Sequence, residues 1–327
     1  MMRNLAPITG WTLLAIILTA VTCAPVLAPN PPGSHFADLG YAPPTLPRLV
    51  DHQGLRRPFV YPWRISNRLA REFEMDRSHP LEIRFFSGGR LASTSPDPWF
   101  LLGGDPLGRD VFSRLLAGGQ LSLGVAALAV LLTLGLGAVL GGLAGFAGGR
   151  TDRAIMTVAD LAIVLPLIYV VVTLRAALPL VLEPALVFWT MVAVMGLASW
   201  PVPARGVRAI IATERQQAYA ESAYAVGGTP LRILLRHLLP AAAGHLKIQG
   251  LLLFPAFIFA EATLSYVGLG FERRIASWGN MLRDAEDISV ITEAPWLMAP
   301  AAAIVLTVVA IQLVIRGSGS KASERTF

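Results

Sequence analysis

Long apolar runs, separated by polar segments of unequal length, are the main pattern along the chain. Each run is close to the ~20 apolar residues that an α-helix needs to cross a bilayer. The pattern therefore predicts an all-α membrane protein with six transmembrane helices and with both termini on the same side. The runs cover residues 7–29, 120–147, 154–174, 185–204, 246–268 and 297–315.

The first run has a second interpretation. Residues 20–23, which end at Cys23, resemble a lipoprotein cleavage site, so the run could also be read as a signal peptide. Thr22 fits that site poorly, and we favour an uncleaved helix that begins inside.

The distribution of charge predicts the orientation of the helices. Segments on the side of the termini contain eight more basic than acidic residues, whereas segments on the other side contain one more acidic than basic residue. Lys and Arg concentrate in the short cytoplasmic loops of membrane proteins. We therefore expect both termini to be cytoplasmic.

Composition agrees with a membrane protein and excludes several kinds of site. The mean hydropathy is +0.58 and 15% of the residues are charged, against about 25% in soluble domains. The single cysteine excludes an internal disulfide, and the five histidines lack metal-site spacing. There is no GxxxxGK[ST] phosphate loop, so the chain should not hydrolyse ATP, and we expect no cofactor, metal or catalytic residue in it. The basic pI follows from the loops on one side and does not indicate nucleic-acid binding.

Two segments between the first two runs differ from the rest. Residues 30–103 are polar and proline-rich and predict a small extracytoplasmic insert, with a short amphipathic helix near Arg64–Asp76 and a strand over residues 81–86. Residues 104–118 predict an interfacial helix with Asp105 as N-cap and with a polar face. That face comprises Arg109, Asp110 and Arg114.

A basic island at residues 216–240 separates the fourth and fifth runs. It predicts a helix from Ala218 to Val226, a break at Gly227-Gly228, and a second helix that starts at Thr229-Pro230 and ends at Pro240. An ordinary amphipathic cytoplasmic hairpin would show the same pattern. The apolar stripe of the second helix consists of Leu231, Leu234, Leu235 and Leu238.

The island resembles the "EAA" loop of ABC importer permeases, in Glu221-Ser222-Ala223, Gly227 and Leu239-Pro240. Ser222 replaces the usual second alanine, and His237 stands where isoleucine is usual. The resemblance implies a coupling helix that sits in a groove of a separate ATPase subunit. Its residues would be Tyr219, Ala220, Glu221, Ser222, Ala223, Gly227, Leu239 and Pro240.

Two further segments resemble the dipeptide/oligopeptide type of these permeases. Gly104–Arg114 (GDPLGRDVFSR) is similar to "LGTDxLGRDVxSR", and residues 259–282 are similar to "AEAxLSFLGLG…SWGxML". The resemblance implies the ABC type I importer permease fold in a bacterial cytoplasmic (inner) membrane. The expected domains are helix 1 (1–29), the insert (30–103), the interfacial helix (104–118), the core of helices 2–6 (119–316, with the coupling loop at 209–240) and a cytoplasmic tail (317–327).

The function that the resemblance implies is that of one permease subunit in an ATP-driven importer for peptides or similar small solutes. It would form half of the translocation pathway. The implied partners are a second homologous permease, ABC ATPase subunits that hold ATP and Mg, an extracytoplasmic substrate-binding protein and the lipid bilayer, with no nucleic acid. The insert would then contact the binding protein or serve only as a packed surface subdomain.

Asp160 and Glu261 leave an alternative open, since a carboxylate within an apolar helix suggests function. In the importer they are candidate pathway or inter-helix polar residues. In a different class, they would relay protons through a secondary transporter that needs no ATPase. A membrane scaffold that only holds the insert is a third possibility.

Overall fold

The chain, described here from a computed structural model, is mostly helical and divides into two compact units. One unit combines residues 1–124 with 262–327, and the other comprises residues 125–261. The residues that the structure describes are 5–51, 54–67, 71–94, 97–164, 169, 173, 183–286 and 288–323.

The helices have the lengths and apolar character of a multi-pass membrane protein. Val111–Ala147, Pro230–Tyr266 and Pro295–Arg316 are long and apolar enough to span a bilayer. Pro184–Ser199 and Pro201–Glu214, which meet at a bend of 44°, make a fourth span if they are counted as one. The predicted run at 154–174 extends beyond the described residues. The helices are α1 (Leu5–Thr22), α2 (Ala24–Leu27), α3 (Val111–Ala147), α4 (Gly149–Val164), α5 (Pro184–Ser199), α6 (Pro201–Glu214), α7 (Ala218–Ala225), α8 (Pro230–Ile233), α9 (Ala243–Tyr266), α10 (Trp278–Arg283), α11 (Ile288–Glu293) and α12 (Ala299–Ser323).

Three small antiparallel sheets form the part between α2 and α3. The strands are β1 (Arg48–Asp51), β2 (Gly54–Val60), β3 (Trp63–Asn67), β4 (Glu72–Met75), β5 (Leu81–Glu82), β6 (Arg84–Ser87) and β7 (Arg90–Ser93). The strand orders of the sheets are β1-β2-β5, β3-β4 and β6-β7. Val60, Ile83 and Trp99 form a buried cluster beside them.

The helix predicted near Arg64–Asp76 is wrong. This segment contains β3 and β4, in which Ile65 lies directly opposite Phe73. Apolar residues that look helical by their spacing are therefore cross-strand neighbours. The strand predicted over residues 81–86 is confirmed, but it is divided into β5 and β6 at Ile83, which is 6% exposed.

The separate interfacial helix predicted at 104–118 is also wrong. Residues before Val111 form a loop in which Asp105 Oδ1 accepts hydrogen bonds from the backbone N–H groups of Leu107 and Arg109 at 2.8 and 2.9 Å. Gly108 has a φ of 68°, which ends any helix from Asp105. Helix α3 begins afterwards and runs without a break into the predicted second span.

Asp110, and not Asp105, caps α3. Its carboxylate accepts the backbone N–H of Phe112 at 3.1 Å and that of Ser113 at 3.3 Å. The Asn30 side chain donates to the same carboxylate at 3.1 Å. Burial raises the pKa of Asp110 to about 6, although these hydrogen bonds act in the opposite direction.

The polar face predicted for Arg109, Asp110 and Arg114 is not exposed. Each of the three residues has 1% of its surface accessible. Buried charges of this kind require ionic or hydrogen-bonding partners. Asp105 pairs with Arg109 and Arg114, and Asn30 donates to Asp110. A further partner of Arg109, Asp284, comes from the segment that follows α9.

That later segment packs tightly on the start of α3. Trp278 is 1% exposed, its backbone N–H donates to Ser122 Oγ at 3.1 Å, and its indole Nε1 donates to the Leu115 carbonyl at 3.0 Å. Ser277 caps α10 by accepting the backbone N–H of Asn280 at 3.2 Å. These contacts hold the two segments of the first unit together.

Glycines allow α3 to approach α6 closely within the second unit. A Cβ on Gly137 would lie 2.9 Å from the Pro203 ring, and one on Gly141 would lie 2.9 Å from Ala204 Cα and even closer to its carbonyl oxygen. Gly145 approaches Ile211 in the same way, with 2.9 Å to its Cβ. Small residues permit such contacts between helices in lipid.

Candidate functional site

The island at 216–240 folds into a helical hairpin, as predicted. Helix α7 ends in a Schellman motif, in which Gly227 N–H donates to the Tyr224 carbonyl at 2.9 Å and Gly228 N–H donates to the Ala223 carbonyl at 3.0 Å. Gly227 has the positive φ, 84°, that this motif requires. Thr229 and Pro230 then start α8, although the Thr229 side chain makes no capping hydrogen bond.

One side of the hairpin is anchored in a buried apolar cluster. Ala220 of α7 and Ile233 of α8 are fully buried and pack with Val207 and Ile211 of α6. The hairpin is therefore packed against α6 through this cluster. The cluster is completed by Leu234, Leu238 and Ala242.

The other side of the hairpin exposes large apolar side chains. We call this set the exposed hairpin face; Val226 is its most accessible member, at 90%. The predicted leucine stripe is thus divided, with Leu234 and Leu238 in the core and Leu231 and Leu235 in the exposed face. The face consists of Tyr219, Tyr224, Val226, Leu231 and Leu235, which are 41–90% exposed.

The predicted coupling residues lie in this face or around it. Tyr219 Oη donates to Glu214 at 2.7 Å, and Ser222 Oγ donates to the Ala218 carbonyl at 2.8 Å. Glu221 is exposed, whereas Ala223 and Leu239 pack at the edge of the buried cluster. The structure thus brings the eight residues into one hairpin and its continuation.

Pro240 does not end the second helix, contrary to the prediction. The chain continues helically from Pro230 to Tyr266 as one stretch of 37 residues. A π-helical turn at Leu234–Leu238 and a 3₁₀ turn at Leu239–Ala242 precede α9. The proline ring clashes with a carbonyl four residues earlier in a regular α-helix, and the wider π turn, closed by Leu239 N–H on the Leu234 carbonyl, avoids this clash.

Asp160 and Glu261 occupy different surroundings. Asp160 forms an ion pair with Arg205, and the two side chains are 61% and 48% exposed. Glu261 is fully buried. The sequence pattern missed the pairing of Asp160, although Arg205 directly follows the predicted fourth span.

The sheet-containing part has a pocket of about 540 Å³. Its lining includes Trp63, whose indole Nε1 is buried without a hydrogen-bond acceptor among the described residues, and Asp76. A hydrogen bond from Ser78 is the main cause that lowers the pKa of Asp76. No group of His, Cys, Asp and Glu suited to a metal ion occurs within the described ranges.

Three known permease proteins of transport systems are similar to this chain. The oligopeptide transport system permease protein OppC of Bacillus subtilis is 35% identical over 221 residues, which are 67% of this chain and 69% of that protein. The di/tripeptide transport system permease protein DppC of Pseudomonas aeruginosa is 35% identical over 65% of this chain and 68% of its own. The nickel transport system permease protein NikC of Escherichia coli is 33% identical over 67% of this chain and 77% of its own.

The family described as "Binding-protein-dependent transport system inner membrane component" matches residues 137–318. This match includes the hairpin, the helix α6 against which it packs, and the continuous helix from Pro230 to Tyr266. The chain therefore belongs to the family of inner-membrane components of binding-protein-dependent transport systems.

Proposed function

We propose that this chain is one permease subunit of an ATP-driven importer for peptides or similar small solutes. It forms half of the pathway, and a second homologous permease forms the other half. A binding protein delivers the solute from outside, and separate ATPase subunits hold ATP and Mg. Two of the relatives reported above are named for peptide transport, and the similarity to the peptide-type signatures points to the same class of cargo.

The exposed hairpin face carries this proposal. Exposure of large apolar side chains to water is unfavourable. A group of them on the surface of a hairpin therefore indicates a site that a partner protein covers. The hairpin is anchored through Ile233 and continues as one helix into a predicted span. A movement imposed by an ATPase groove on Leu231 and Leu235 would thus be passed directly to α9.

The pair Asp160–Arg205 supports a second permease subunit. It lies on two helices that also expose large apolar residues, including Leu161, Val164 and Val202. Charged groups that face acyl chains are costly, so we expect protein or water to cover this surface. The proton-relay alternative is not favoured, because Asp160 is held by a guanidinium group.

We propose a topology of six spans, with both termini in the cytoplasm and residues 30–103 as an extracytoplasmic insert. Helix 1, the core and the tail keep the boundaries expected above. The excess of basic residues in the loops on the side of the termini supports this orientation.

The test is recovery of the complex from native membranes in mild detergent. Tagged native chain should bring down a second permease and a P-loop ATPase. Leu235→Asp and Glu221→Arg should lose the ATPase but keep the second permease. Leu55→Asp is the matched control, since Leu55 is 87% exposed on the predicted outer side. If Leu235→Asp retains as much ATPase as Leu55→Asp, the coupling assignment is wrong.

A further inference from the structure

Two neighbouring phenylalanines are exposed on the hairpin formed by β6 and β7. Phe85 is 54% exposed and Phe86 is 81% exposed, and Leu91 of the partner strand is 38% exposed. We call these three residues the aromatic patch. Arg84 directly precedes the patch, and its side chain is exposed. The hairpin thus combines large apolar side chains with positive charge, which is the composition of surfaces that bind to a bilayer.

The backbone of Phe86 adopts a conformation that is unfavourable for a large side chain. Its φ is 53°, whereas residues in β-strands have strongly negative φ values. Gly88 and Gly89 of the following turn have φ values of 61° and 75°, which glycine adopts without steric cost. A bulky residue in this conformation that is also exposed contributes little to packing within the chain. Its side chain is therefore available to something outside the chain.

Contacts of the first helix indicate where the bilayer ends relative to this hairpin. Gln120 Nε2 donates to the Thr22 carbonyl at 3.5 Å, and a Cβ on Gly119 would lie 2.7 Å from Val21 Cγ2. The end of α1 is therefore level with the start of the apolar run at 120–147. The hydrocarbon layer of the bilayer is expected to end at this level.

The hairpin is packed just beyond that boundary. Helix α2 follows Cys23 and contains four residues, which extend over about 6 Å. The headgroup layer on each side of a bilayer is about 5–7 Å thick. Strand β7 packs against α2, and Arg90 Nη1 donates to the Pro29 carbonyl at 2.7 Å. The hairpin therefore lies at the level of the lipid headgroups.

We propose that the β6–β7 hairpin is a lipid anchor, in which the aromatic patch inserts into the interface of the outer leaflet and Arg84 binds lipid phosphate. This inference rests on the proposed topology, in which α1 crosses the bilayer. Aromatic side chains favour the membrane interface, and transfer of the patch from water to lipid removes exposed apolar area. A guanidinium group binds phosphate through charge-assisted hydrogen bonds.

The anchor is joined to the core of the insert. Ala92 of β7 packs on the buried cluster of Val60, Ile83 and Trp99. The Asn30 side chain donates to the Trp99 carbonyl at 2.6 Å. Contact of the hairpin with lipid therefore fixes the height of this cluster above the membrane.

Spin labels on the full-length chain in nanodiscs of phosphatidylcholine and phosphatidylglycerol test the anchor. Cys23 is the single cysteine, so a Cys23→Ser background accepts one label at a time. A label on Phe86→Cys should collide severalfold more often with oxygen, relative to a water-soluble nickel chelate, than a label on Arg77→Cys. Arg77 is the matched control because it is exposed in the polar turn between β4 and β5.

Two results of this comparison would overturn the anchor. Equal collision ratios at Phe86 and Arg77 would place the patch in water. A label at Phe86 that is shielded from both reagents would show that protein, and not lipid, covers the patch. If the Phe86→Cys chain does not enter nanodiscs, a label on Phe85→Cys takes its place with the same expected ratio.

A label on α1 separates failure of the anchor from failure of the topology. Ile16 is 65% exposed, and a label on Ile16→Cys should show a strong preference for oxygen because it faces acyl chains. A ratio at Ile16 equal to that at Arg77 would overturn the proposed topology and the anchor with it. A label in lipid at Ile16 but in water at Phe86 would overturn the anchor alone.

The role of Arg84 has a readout of its own. Arg84→Glu introduces repulsion from an anionic surface. In nanodiscs that contain phosphatidylglycerol, this change should shift the label at Phe86 toward water, and the shift should be smaller in phosphatidylcholine alone. An unchanged collision ratio in both lipids would overturn the assignment of Arg84 to lipid phosphate.

Discussion

Adding a single methyl group at Gly141 tests the close packing of α3 on α6. A Cβ at this position would lie 2.9 Å from Ala204 Cα and closer still to the Ala204 carbonyl oxygen. Both obstacles are backbone atoms, which cannot move away as a flexible side chain can. Gly141→Ala therefore requires the two helices to separate.

The loss of stability caused by Gly141→Ala is estimated by comparison with a second glycine of the same helix. Gly→Ala in a helix interior gains about 1 kcal/mol of helix propensity, and Gly135→Ala should show this gain alone because nothing lies within 4 Å of its Cβ. Overpacking costs about 1–3 kcal/mol, and Gly141→Ala carries both effects. The difference between the two variants thus isolates the overpacking.

The assay measures the midpoint of thermal unfolding of the purified chain. Unfolding is monitored by size-exclusion chromatography after each heating step. A change of 1 kcal/mol corresponds to about 2–4 °C in proteins of 150–250 residues. Gly141→Ala should therefore have a midpoint several degrees below that of Gly135→Ala. Equal midpoints, or a higher one for Gly141→Ala, would refute the close approach of the helices.

Three further predictions concern single groups. The pKa of Asp110 is raised from 3.8 to about 6, so the folded chain keeps a proton that the unfolded chain releases between these two pH values. The free energy of unfolding should therefore fall by roughly 3 kcal/mol as the pH rises through this interval. Asp110→Asn should flatten the dependence of the unfolding midpoint on pH. Pro240→Ala should allow a regular helix in place of the π turn and so rotate the hairpin against α9, leaving ATPase recovery intact but lowering transport of a labelled peptide; unchanged transport would contradict this role of the turn. Asp160→Arg should impair recovery of the complex through repulsion from Arg205, and the added Arg205→Asp change should restore much of it, as a double-mutant cycle would measure; no restoration would argue against the pair.

The hairpin was predictable because its signals are local. Gly227-Gly228 after a short helix indicates a Schellman motif, and Thr229-Pro230 indicates a restart. The division of the leucines was not predictable in this way. Leu231 and Leu235 lie one turn apart on the exposed face, and only the position of α6 determines that Leu234 and Leu238 are the buried ones.

The segment near Arg64–Asp76 shows a limit of periodicity. Apolar positions eight residues apart fit a helix, but they also fit two strands joined by a short turn. Ile65 and Phe73 are paired across β3 and β4, and the choice between the two structures depends on tertiary packing.

Charged residues in 104–114 were predicted at the surface because a lone segment offers them no partner. Arg109 is buried because Asp284, which lies 175 positions later in the chain, reaches it. The capping residue was misassigned for a local reason, since Asp105-Pro106 and Asp110-Val111 both resemble helix starts and the positive φ of Gly108 decides between them.

The π turn has a consequence for the lengths that this part of the chain can have. One residue inserted into a regular helix rotates everything beyond it by about 100°, so the stretch from Pro230 to Tyr266 should tolerate neither insertions nor deletions along most of its length. A π turn already contains one residue more than an α turn needs. Once Pro240 is replaced by alanine, deletion of one residue between Leu234 and Leu238 should therefore restore an α turn while preserving the facing of both ends, and related chains that lack Pro240 are expected to be one residue shorter here.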